Sequence, residues 1–100
     1  MFVTVGSMEN AEAIARTLIE DHLAACVNIL PKIRSFYRWE GKVVDDEELL
    51  LVIKTRAPLF KDLKKRILEL HAYELPEVIS LDISMGNDPY LEWIASETET

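Results

Sequence analysis

A ferredoxin-like split βαβ sandwich of the α+β class (βαββαβ), with an extended hairpin between its second and third strands and a short C-terminal helix, is predicted by three observations. The run Leu49-Leu50-Leu51-Val52-Ile53, read as a strand, carries apolar side chains on both faces of a sheet. Two stretches with apolar residues three and four apart read as amphipathic helices, and extended stretches stand before, between and after them. The resulting order is strand, helix, strand, strand, helix, strand, and right-handed crossovers set its topology.

Residues 2–7 read as the first strand, with Ser7 at the N-cap of a helix that places Ala11, Ile14, Ala15, Leu18 and Ile19 on one face. Its polar face holds Glu9, Glu12, Arg16 and Glu20, and His22 near its end is expected to answer the helix dipole. A second strand begins at Cys26, is interrupted at Pro31 and resumes through Ile33, Phe36, Tyr37 and Trp39. Cys26, between Ala25 and Val27, is expected in the core. Glu40-Gly41-Lys42 signals a hairpin turn, after which Val43 and Val44 lead through an acidic bulge or bend at residues 45–48 into the apolar run. The four acids there read as a solvated segment. Pro58 opens the second helix, whose buried stripe is Leu59, Leu63, Ile67 and Leu70 and which stops before Pro76. A last strand over 78–85 alternates Ile79, Leu81, Ile83 and Met85 with polar residues. Asp88-Pro89 caps a final helix containing Tyr90, Leu91, Trp93 and Ile94, and the polar tail 97–100 is expected to fray.

One hundred residues make one domain, 1–100. Two helices cover one face of the sheet, so the two-faced strand calls for another copy of the chain over the other. A net charge of −7, from 11 basic and 18 acidic residues, opposes nucleic-acid binding. No stretch reaches the roughly 18 apolar residues that span a bilayer, which opposes a membrane protein. The N-terminus enters a strand pattern directly, and the single cysteine suits a reducing compartment, so a cytoplasmic location is expected.

Nothing here has the signature of an enzyme. The three glycines, Gly6, Gly41 and Gly86, form no phosphate-cradling array, and there is no nucleophile elbow or dinucleotide fingerprint. His71 at the end of the second helix and Glu77 at the mouth of the last strand form a candidate pair for copper or another divalent cation. The alternative is that His71 caps its helix and Glu77 answers a lysine or an open backbone N–H.

Ala24-Ala25-Cys26-Val27-Asn28, Tyr37-Arg38-Trp39-Glu40-Gly41-Lys42, Lys54-Thr55, His71-Ala72-Tyr73-Glu74-Leu75-Pro76-Glu77 and Tyr90-Leu91-Glu92-Trp93-Ile94 together resemble the CutA family of divalent-cation tolerance proteins over nearly the whole chain. The resemblance implies a compact homotrimer, cytoplasmic in bacteria, associated with tolerance of copper and other divalent metals. It also implies a pocket between subunits lined by Trp39, Lys54, Tyr73, Tyr90 and Trp93, with Tyr37 beside them. Some members carry a further cysteine in the first strand where this chain has Val5 or a neighbour, which argues against strong soft-metal binding here. A small-molecule signalling trimer like the PII regulators, and a scaffold acting through partner proteins, are the competing functions.

Overall fold

The computed structural model describes residues 1–99. β1 (Phe2–Val5) is followed by α1 (Met8–Glu20), β2 (Cys26–Trp39), β3 (Lys42–Lys54), a 3-10 turn (Ala57–Leu59) running into α2 (Phe60–Leu70), β4 (Val78–Ile79) and α3 (Asp88–Glu97). The strands lie in the order β2-β3-β1-β4, every neighbouring pair antiparallel, as the split βαβ sandwich requires.

Side chains alternate along a strand, and this divides the apolar run in two. Leu49, Leu51 and Ile53 join Val3 and Val5 of β1, Ala11, Ile14 and Leu18 of α1, and Leu63 and Ile67 of α2 in one buried cluster. Leu50 and Val52, on the other face, are only half-buried. Ser7 caps α1 as its residue type predicts, its Oγ accepting from the Asn10 N–H at 3.1 Å. Ile19, expected in the stripe, is exposed at the edge of that face.

Glu40 (φ 49°) and Gly41 (φ 77°) both adopt the left-handed conformation. This is the turn whose twist matches two antiparallel strands, and the ladder runs from Trp39↔Lys42 down to Cys26↔Lys54. The irregularity in this ladder lies on β2, not within the acidic residues 45–48. The register shifts between Leu30 and Ile33, where Pro31 offers no N–H and Lys32 takes φ 60°, while β3 passes opposite without a break. Arg34 holds Asp45 across the hairpin through two bonds of 2.9 and 2.7 Å, an exposed pair that contributes little stability.

Five further expectations are corrected. The last strand covers Val78–Ile79 instead of 78–85: it pairs Val3↔Val78 and Phe2↔Ile79, so the residues after Ile79 pass beyond the start of β1 and find no ladder partner. Leu81, Ile83 and Met85 are consequently exposed. Cys26 is half-buried at the start of β2 and outside the core cluster. Thr98, within the tail expected to fray, is fully buried: Arg56 Nε donates to its Oγ1 at 2.8 Å and Arg56 Nη2 to its carbonyl at 2.9 Å. His22 Nδ1 donates to the Glu97 carbonyl at 3.1 Å, so it serves the end of α3 and not the end of its own helix. The cap of α3 is Asn87, with Pro89 in its first turn. Thr100 lies outside the described residues.

A Cβ at Gly41 would meet nothing within 4 Å, so the cost of a side chain there comes from the backbone alone. Gly41→Val is expected to destabilise the fold by about 1–2 kcal/mol in urea unfolding. Glu40→Asn, which relieves the neighbouring left-handed residue, should raise the midpoint. An unchanged midpoint in Gly41→Val would show that the turn is not of this type.

Candidate functional site

The hairpin projects past the rest of the sheet, and residues 72–77 rise opposite it. Between them, on the face away from α1 and α2, opens a cleft of about 790 Å³. Asp46 and Glu48 of β3 stand two residues apart on this face, with Tyr37 and Trp39 from β2, Thr4 from β1, and Tyr73, Glu74 and Glu77 from the connection before β4.

Each of the two β3 acids on the face is met by a phenol. Tyr37 donates to Asp46 Oδ2 at 3.1 Å, and Tyr73 donates to Glu48 Oε2 at 2.9 Å. The two pairs differ in setting, since Glu48 is only 5% exposed whereas Asp46 remains partly open to solvent. Burial, followed by the bond to Glu48 and the charge of that carboxylate, pushes the Tyr73 phenol well above its ordinary value of 10.0. Tyr37 is raised in the same sense, by desolvation first and then by Asp46. Gly6 makes room for this arrangement: a Cβ there would stand 2.8 Å from the Tyr73 hydroxyl oxygen.

The connection is anchored to α1 and β1 by side chains. Asn10 Nδ2 donates to the last carbonyl of α2, at Leu70, over 3.0 Å, and the Ala72 N–H donates back to Asn10 Oδ1 at 3.2 Å. His71 is the C-cap of α2. Its Nε2 lies 2.7 Å from the Thr4 carbonyl and its Nδ1 3.0 Å from the Tyr73 N–H, with its ring 4.8 Å from the ring of Tyr73.

The predicted site residues are therefore distributed. Trp39, Tyr73 and Glu77 line the cleft, and His71 is not among its lining residues. Lys54 sits at the opposite end of β3, where its ammonium donates to Asn28. Tyr90 and Trp93 pair with each other on α3, ring centroids 5.5 Å apart. A single chain thus does not gather the five pocket residues. Nor, among the described residues, do three His, Cys, Asp or Glu side chains converge closely enough to hold a metal ion. The described residues of one chain therefore do not fit a resident cation. Sequence reasoning missed Glu48, which belongs to a run read as solvated. The available signal was its position two residues before Leu50, on the same face of the strand as part of the apolar run.

The family model described as CutA1 divalent ion tolerance protein matches residues 1–97. The chain is 49% identical over 98 residues to the divalent-cation tolerance protein CutA of Thermus thermophilus, covering 98% of this chain and 95% of that protein. A solved structure of the divalent cation tolerance protein from Thermus thermophilus superposes with a TM-score of 0.95, over 98% of this chain and 95% of that one. The periplasmic divalent cation tolerance protein CutA of Archaeoglobus fulgidus, 39% identical, also gives a TM-score of 0.95, over 98% and 95% of the two chains. The chloroplastic CutA of Arabidopsis thaliana is 47% identical over 98 residues, and there this chain spans 54% of the relative's length.

The Tyr73 pair makes stability depend on alkaline pH. The folded chain keeps the phenolic proton beyond the ordinary pKa of 10.0 at which the unfolded chain releases it. The contribution is thus whole below that pH and is lost as pH rises past it. Tyr73→Phe should destabilise the fold by about 1–3 kcal/mol near neutral pH, because the buried carboxylate loses its donor. It should also flatten the alkaline decline, which denaturant titrations at about pH 7 and about pH 11 measure. An equally steep decline in the variant would place the responsible group elsewhere.

Proposed function

We propose that this chain, which belongs to the CutA1 divalent ion tolerance family, works in divalent-cation tolerance as a cytoplasmic homotrimer that binds copper weakly, with Glu77 as a ligand. Two free sheet edges carry the proposal. On one, β2 presents Leu30, Phe36, Tyr37 and Trp39 to solvent; on the other, the unpaired residues after Ile79 present Leu81, Ile83 and Met85, the last 88% exposed. Leu81 and Ile83 also border an open hollow of about 570 Å³ with Phe60 and Leu91. Such surfaces are unfavourable in an isolated monomer. Because they differ in kind, contact between them would be head-to-tail, and a head-to-tail contact makes a ring when its rotation closes and an open filament when it does not. Three copies is the number that the family resemblance implies.

The metal reading is linked to the assembly. Glu77 is exposed at the cleft and makes no hydrogen bond among the described residues, but one carboxylate binds copper feebly. Further ligands come from water or from a neighbouring subunit, whose approach would also bring Lys54, Tyr90 and Trp93 nearer the aromatic wall of the cleft.

Sedimentation equilibrium at micromolar concentration is expected to give three times 11.5 kDa. Calorimetric titration with copper should give a weak heat signal that Glu77→Gln largely removes without changing the sedimented mass. A folded monomer would overturn the trimer, and undiminished copper heat in Glu77→Gln would overturn the ligand.

A further inference from the structure

The geometry points to His71 as a positioning residue and not a metal ligand: a neutral imidazole, its proton on Nε2, that holds Tyr73 against Glu48 and so shapes the wall of the cleft. The tautomer follows from the partners. A backbone carbonyl only accepts, so the nitrogen 2.7 Å from the Thr4 oxygen carries a hydrogen. A backbone N–H only donates, so the nitrogen 3.0 Å from the Tyr73 amide presents its lone pair. Coordination of a metal needs a free imidazole lone pair. The single one that His71 has is already directed at Tyr73.

The two bonds join parts of the chain that are far apart in sequence. Thr4 belongs to the end of β1, and Tyr73 is the residue whose hydroxyl reaches Glu48 on β3. His71 and Asn10 together fix Leu70, Ala72 and Tyr73 through their backbone groups. The path from Tyr73 back over Gly6, where no Cβ intervenes, leaves the phenol in reach of Glu48. A metal drawing away the Nδ1 lone pair would leave the Tyr73 N–H without its acceptor. The assignment concerns the same region as the copper proposal but does not rest on it.

Long-range 1H–15N correlation of the imidazole in the unaltered protein, at neutral pH, reads the tautomer directly. Zinc serves as the diamagnetic probe. We expect the proton on Nε2, and an Nδ1 resonance that does not move as zinc is added. A proton on Nδ1, or an Nδ1 signal shifting in proportion to added zinc, overturns the assignment. His71→Ala is expected to lower the melting temperature by about 4–8 °C. His71→Gln, whose carboxamide offers one acceptor and a donor, should recover most of that loss and keep whatever copper heat the parent shows. A glutamine variant that melts like the parent yet has lost the copper heat would make His71 a ligand after all. If the parent binds no copper, the copper reading falls, while the tautomer and the recovered melting temperature still decide this one.

Discussion

Strand β3 is bonded on both sides over the stretch where it is apolar on both faces, and the rest of the molecule depends on that coincidence. Residues 49–52 pair with β1, and residues 50–54 pair with β2. The same residues hand Leu49, Leu51 and Ile53 to the helices, each worth about 1.5–3 kcal/mol in apolar burial. Because strand side chains alternate, a slip of one residue would turn Glu48 toward the core and Leu49 toward the cleft. One register therefore places the hydrophobic cluster and the acidic face of the cleft together.

Much of this was legible in the sequence because it is written in local chemistry. The Ala11, Ile14 and Leu18 part of the α1 stripe, the Ser7 cap and the turn at Gly41 each depend on residues a few positions apart, and each is where its pattern says. The last strand shows the other side. Alternation at Ile79, Leu81, Ile83 and Met85 reports a chain suited to an extended conformation, but a strand also needs a partner, and β1 starts at Phe2, opposite Ile79, with no strand residue before it to pair the later residues. The long-range bonds at His71 and Tyr73 were equally hidden. A sequence shows that an imidazole and a phenol are present, yet their partners, Thr4 and Glu48, are 67 and 25 residues away. The acidic run misled in a related way, since four consecutive acids look solvated until a strand buries one of them against a tyrosine hydroxyl.

The cleft is built from a repeated element used at two depths. Tyr37 with Asp46 and Tyr73 with Glu48 are the same chemical pair, but the second is enclosed and the first is open. In the enclosed pair the lower local dielectric strengthens the bond and raises the cost of breaking it. Rigidity thus grows from the hairpin toward the sheet. The half nearer the tip, with Trp39 and Asp46, is the half that can adjust to whatever approaches, while the half beside Tyr73 is preset by the folded chain.

Pro31 and Lys32 bear on how copies of this chain add to one another. An edge strand of 14 residues with an unbroken row of donors and acceptors would be a template for open-ended fibre growth. Here the row is cut near its middle: Pro31 supplies no donor, and the left-handed Lys32 turns the strand out of line. An incoming strand can register with the segment before the cut or the segment after it, but it cannot zip along the whole edge. The discontinuity thereby favours short, bounded contacts over continuous polymerisation, and it allows the protein to keep a long sticky edge without becoming a seed for filaments.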